Sequence, residues 1–139
     1  AGTLSNAMDC LIAVRRDSAS GAISGLMETV NGAKYFGFFE PNIAYGTYSQ
    51  CGSPTLYVDG SLLSGSAVDL SAALTVGDWH ILEYRDLDLS AWTAAVFGKY
   101  TGYQFNGAQG GILLFPGGNT AERDKARAWL ANKVGVTLP

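Results

Sequence analysis

Cysteine is scarce in this chain, with only Cys10 and Cys51. That excludes a disulfide-stapled framework and leaves at most one bridge. Cys10 opens an apolar run, the ordinary setting of a buried free thiol, so free thiols are the expectation. No cysteine pair has metal-binding spacing. Histidine is scarcer still: any Ser-His-Asp relay has to use His80, and no Gly-x-Ser-x-Gly elbow is present. Charged residues make up 15% of the chain and the formal net charge is −3. Both signs are scattered and no basic stripe exists, which argues against nucleic acid as a partner. No apolar run approaches the roughly 18 to 20 residues that span a bilayer. Ala1 to Asp9 lacks the basic and apolar regions of a signal peptide. Linkers, low-complexity tracts and repeats are missing too, so residues 1–139 read as one domain.

What the chain does have is a hydrophobic content of 47%, eighteen glycines, seven tyrosines and six phenylalanines. That mixture suits short strands joined by tight turns. Cys10 to Val14 is a continuous apolar run, as expected of a strand covered on both faces. Ala22 to Val30, ended by Asn31-Gly32, and Lys34 to Glu40 read as a hairpin; Ile43 to Tyr48 follows Pro41-Asn42. Thr55 to Val58, Asp59-Gly60 and Ser61 to Leu63 form the clearest hairpin, because Asp-Gly supplies the positive φ pair of a two-residue turn. Val68 to Leu74 is ambiguous. Trp79 to Leu87, Trp92 to Phe97 and Gly111 to Phe115 complete the strands, with Gly98 to Gly110 read as a loop. Asn119 caps a helix at about 120–134, with Glu122 in capping-box position. Ala126, Trp129, Leu130 and Val134 make its apolar stripe, and Gly135 stops it. The expected fold is all-β, a two-sheet antiparallel sandwich with one short C-terminal helix.

The order of these pieces resembles a known family. Leu56-Tyr57-Val58-Asp59-Gly60 followed by Gly77-Asp78-Trp79-His80-Ile81-Leu82 looks like the concanavalin A-like lectin/glucanase (laminin-G-like jelly-roll) family. Phe105-Asn106-Gly107 before Gly111 to Phe115 is similar to its late turn and last core strand. The tail from Thr120-Ala121-Glu122-Arg123 to Trp129-Leu130-Ala131-Asn132-Lys133-Val134-Gly135-Val136 resembles the ending found in phage virion proteins and bacterial surface proteins. The resemblance spans about residues 8 to 138 and implies a jelly roll. The family has one or two strands ahead of the Cys10 run, for which there is little room here. The expectation is therefore a fragment of a larger chain, or a domain whose first strand a neighbour supplies.

The same resemblance makes glucanase chemistry a hypothesis to test. Glycosidases need two carboxylates about 5 to 10 Å apart across a cleft. The strand motif E-x-D-x-x-E that would supply them is absent, and the nearest cluster is Glu83, Asp86 and Asp88. It reads as a solvated strand end or turn, in which Asp86 and Asp88 share a face and Glu83 does not. An enzyme is not expected, and His80 beside Trp79 reads as a half-buried strand residue. Gly117-Gly118 could hold an anion before the helix, but capping by Asn119 is the better reading. No cofactor or metal is expected: related sandwiches often bind calcium at one rim, and Asp59, Asp78, Asp86 and Asp88 are the available carboxylates, but no Asp/Asn-rich loop motif links them. Sugar rings stack on aromatic faces, and Tyr45, Tyr48, Trp92, Tyr100, Tyr103, Gln104 and Asn106 supply such groups beside core-forming strands. Trp92, Tyr100, Tyr103, Gln104 and Asn106 are the candidate ligand site, since binding residues gather on loops. The functional expectation is a non-catalytic module on a phage virion surface or tail fibre, contacting a host-surface glycan or protein and other virion chains as a homo-oligomer. A carbohydrate-binding module of a bacterial secreted or cell-surface protein and a purely structural capsid decoration protein are the alternatives.

Overall fold

The computed structural model describes residues 7–17, 52–63, 73–90 and 106–139, and the backbone of 23–28, 35–39, 96–97, 99–100 and 103–104. Ten strands and one long helix lie in these segments: β1 (Met8–Arg16), β2 (Ile23–Glu28), β3 (Tyr35–Phe39), β4 (Thr55–Val58), β5 (Ser61–Leu63), β6 (Trp79–Leu87), β7 (Val96–Phe97), β8 (Lys99–Tyr100), β9 (Tyr103–Gln104), β10 (Gly107–Pro116) and α1 (Thr120–Val134). A five-stranded antiparallel sheet in the order β10-β1-β6-β4-β5 dominates. A three-stranded sheet, β3-β2-β7, and the β8-β9 pair accompany it.

The continuous apolar run of β1 explains its central position. Cys10, Leu11, Ile12, Ala13 and Val14 are all fully buried, which requires cover on both faces of the sheet. Even-numbered side chains Met8, Cys10, Ile12 and Val14 join Leu56, Val58, Leu82, Tyr84 and Leu87 on one face, with Leu74 and Leu89 packed there. Odd-numbered Leu11 and Ala13 join Ile81 on the other, under Leu130 and Ala131 of α1. Each fully buried Leu or Ile contributes about 1.5–3 kcal/mol. The β4-β5 hairpin turns through Asp59 and Gly60 at φ 51° and 85°, as the Asp-Gly pair predicts.

Two bulges shape the sheet. Ala13 faces Gly111 and Val14 faces Gln109, so Gly110 is the extra residue of β10. A Cβ on Gly110 would sit 2.6 Å from Val134 Cγ1, and one on Gly111 would sit 3.0 Å from Leu130 Cδ2. The bulge turns both glycines toward the helix and lets it approach the sheet. In β6, Arg85 and Asp86 occupy the interval between Leu87 and Tyr84 that Asp9 alone fills in β1, with Asp86 at φ 63°.

The helix follows its sequence signals at both ends. Asn119 Oδ1 accepts from Glu122 N–H at 3.2 Å, and Gly135 closes it at φ 77° with its N–H donated to Ala131 C=O. The Gly117-Gly118 pair thus leads into a capped helix. Its inner stripe differs from expectation: Trp129 is exposed and Arg123 is buried with Leu130 and Ala131. Trp129 falls outside the stripe because the guanidinium groups of the first two turns set the helix rotation. The Gly98–Gly110 stretch is not a single loop either. Tyr100 and Tyr103 close a two-residue hairpin, and β10 begins at Gly107. Ile43 to Tyr48 and 91–95 of the expected strand at Trp92 lie outside the described residues.

Candidate functional site

Two polar constellations stand out, one under the helix and one at its far end. Under the helix, Asp9 of β1 and Glu83 of β6 face α1, both sealed from solvent. Asp9 Oδ2 accepts from Arg123 Nε at 2.9 Å and pairs with its Nη2 at 2.8 Å. Arg123 Nε also lies 3.4 Å from Glu83 Oε1, which accepts from Arg85 Nε. Arg127 grips Glu83 Oε2 through Nε and Nη2 at 2.8 and 2.7 Å, and reaches Asp124 at 3.2 Å. Asp9 Oδ1 accepts the backbone N–H of Asp86 at 3.3 Å across the β6 bulge. Arg85 then lies over the Tyr57 ring, 3.6 Å from its centroid.

Buried carboxylates with this many charge-assisted donors are structural anchors. Glu83 is therefore no solvated strand end, which corrects the sequence expectation. Asp86 and Asp88 do not form a shared strand face. Asp86 sits in the left-handed region, and Asp88 lies beyond β6, where its Oδ1 accepts from Ser90 N and Oγ at 3.0 and 2.6 Å. The signal for this cluster was present in the sequence: Arg123, Arg127, Leu130 and Val134 share one helical face.

The second constellation lines a cleft of about 420 Å³ between the Gly77–His80 turn, Asp59 and the end of the helix, Val134 to Thr137. The β-hairpin turn and β6 place Asp59 beside His80. Asp59 Oδ1 accepts from Ile81 N–H at 2.7 Å, and Asp59 Oδ2 lies 2.7 Å from His80 Nδ1. His80 Nε2 accepts the Thr75 N–H at 3.0 Å. That geometry defines a neutral ring with its proton on Nδ1, donated to Asp59. The Asp59 hydrogen bond raises the His80 pKa above its ordinary value, burial opposes the rise, and the charges of Asp59 and Asp78 add to it. Protonation of Nε2 would forfeit the Thr75 bond, which belongs to the neutral ring alone.

Both nitrogens of His80 are thus committed within the protein. Asp78 stands exposed at the cleft, and Trp79 forms part of its wall with Arg15 5.4 Å from the ring centroid. The exposed carboxylate, the Thr137 hydroxyl and the negative end of the helix give the cleft an acidic, hydrogen-bonding character. Among the described residues no three His, Cys, Asp or Glu side chains converge to hold a metal ion. Asp59 serves the hairpin and His80 rather than an open cation site.

Of the residues expected to bind a ligand, Tyr100 and Tyr103 are cross-strand partners in the β8-β9 hairpin, and Gln104 faces Lys99. Asn106 follows them, exposed, with its C=O accepting from Asp17 N–H at 3.1 Å. Trp92, Tyr45 and Tyr48 lie outside the described residues. The sequence offered Asp59 and Asp78 only as possible cation ligands; the cleft they line was not legible because its other wall, Val134 to Thr137, comes from the far end of the chain.

Cys10, the third residue of β1, carries a free, buried thiol. Burial, and then the neighbouring charge of Asp9, push its pKa far up. No helix among the described residues is long and apolar enough to cross a membrane. No family model, no curated protein and no solved structure matches this chain.

Proposed function

We propose that this chain is a non-catalytic recognition module whose ligand, a hydroxyl-rich glycan, enters the cleft beside Asp78. The cleft of about 420 Å³, with its hydrogen-bonding wall, carries this reading. It lies within the roughly 300–1,000 Å³ range of small-ligand sites. Commitment of Asp9 and Glu83 to arginines, and of both His80 nitrogens to Asp59 and Thr75, supports binding over hydrolysis. The setting proposed is a phage virion surface or tail fibre, or a bacterial surface protein, in contact with a host-surface glycan or protein. The architecture proposed is a concanavalin-like two-sheet jelly roll, with β3-β2-β7 in the second layer. Full burial of Cys10, Ile12 and Val14 on the face away from the helix supports such a layer.

A second reading places the ligand on the β8-β9 hairpin, favoured by the Tyr100–Tyr103 cross-strand pair. Glycan-array binding, with and without calcium, separates the two. Saturable binding weakened by Asp78→Asn and indifferent to Tyr103→Ala locates the ligand in the cleft; the opposite pattern locates it on the hairpin. A folded protein that binds no glycan overturns both and leaves a purely structural role in a capsid or fibre.

A further inference from the structure

The two edges of the main sheet are built differently. At one end β5 is three residues long, and short edge strands resist pairing with other chains. At the other end β10 is ten residues long and pairs, among the described residues, only with β1. Gly107 to Pro116 contains no charged residue, whereas β1 carries Asp9, Arg15 and Arg16 and β6 carries Glu83, Arg85 and Asp86. The usual protections of a long edge are lysines, inward charges and prolines. Here they reduce to the Gly110 bulge, the terminal Pro116 and Lys133, whose Nζ would lie 3.7 Å from a Cβ on Gly111 and is 5.0 Å from the Trp129 ring centroid. Among the described residues no strand covers the outer side of Gly111 to Phe115, which is itself uncharged.

Apolar surface collects at this edge. Leu114 is 37% exposed and Trp129 is 53% exposed. A Cβ on Gly111 would lie 4.0 Å from Trp129 Cζ3, which places the indole over the glycine of the edge strand.

We propose that β10 pairs with β10 of a second copy of this chain, antiparallel about a two-fold axis near Leu113, joining two five-stranded sheets into one. The identity of the occupant follows from charge. A strand paired with its own copy sets like residues against one another, and any charge near the axis would meet itself. Gly111 to Phe115 is free of that repulsion along its whole length. The axis sets Gly111 opposite the partner's Phe115 and Ile112 opposite the partner's Leu114. Trp129 then covers the partner's Phe115 across the glycine, and the two helices lie on the same side of the joined sheet.

Sedimentation velocity on the full chain, over a dilution series, tests the pairing. The expected result is a dimer that Leu114→Lys converts to monomer, with an unchanged circular dichroism spectrum. Leu62→Lys, on the more exposed leucine of the β5 edge (56%), should leave the dimer intact. A wild-type chain that stays monomeric at its solubility limit overturns the proposal. So does a dimer that survives Leu114→Lys or is lost with Leu62→Lys. Should Leu114→Lys fail to fold, Trp129→Lys on the exposed helix face replaces it, with the same two outcomes.

Discussion

Glu83 holds a position that an acidic side chain takes only with unusual company. It is 1% exposed and bound by Arg85 and Arg127, with Arg123 close by. Glu83→Gln leaves three guanidinium groups around one neutral amide. The expected loss is about 3–5 kcal/mol, the usual consequence of removing one partner from a buried pair, read from denaturant unfolding. A change under about 1 kcal/mol, the range of surface pairs, would show the cluster to be solvated. His80 offers a second test at this scale. Its pKa is raised in the fold, chiefly by Asp59, so the pairing stabilises fully below the unfolded value of about 6.5. That contribution is lost as pH rises through the folded value. Asp59→Asn keeps a residue tolerated in the turn while removing the charge. The imidazole titration followed by NMR should move to lower pH, and stability should fall most on the acid side. The Asp59-Gly60 turn was fully legible in the sequence, because two-residue turns demand particular residues. The environment of Glu83 was legible only in part: Arg85 stands two residues away and Arg123 and Arg127 share a helical face, but nothing local places that face over a strand 44 residues earlier.

At the scale of elements, β6 and α1 occupy the spans their apolar patterns predict, and β1 is central as its unbroken apolar run requires. The departures come from tertiary geometry. Helical spacing admits Trp129 to the apolar stripe, yet Arg123 and Arg127 turn that residue outward. The β10 bulge has no local signature beyond paired glycines, and its purpose appears only with the helix in place. Gly110→Ala would drive its methyl into Val134 and Trp79 and should cost about 1–3 kcal/mol through overpacking. Gly118→Ala meets no atom within 4 Å but keeps φ +91°, so its cost is conformational. Val134→Ala should therefore recover part of the Gly110→Ala loss and none of the Gly118→Ala loss. Additive losses in both double variants would refute the proposed contact.

Across the whole molecule, the first described strand is hydrogen-bonded to the last. Cys10 lies at this junction, where its thiol is fully buried and its pKa is raised by burial. A thiol reagent should modify Cys10 only when the sheet opens, at a rate that rises with denaturant along the global unfolding curve. Prompt modification of Cys10 in the native protein, located by mass spectrometry, would contradict that burial. The long separation between β1 and β10 also sets an order of events during synthesis. Asp9 leaves the ribosome more than 100 residues before Arg123, the group that neutralises it. Until then the face of β1 that receives α1 presents an unpaired acid, and its β10 edge has no neighbour. The cluster of Leu11, Ala13 and Ile81 under the helix can therefore close only after α1 has been made, whereas the cluster on the opposite face contains no residue of α1.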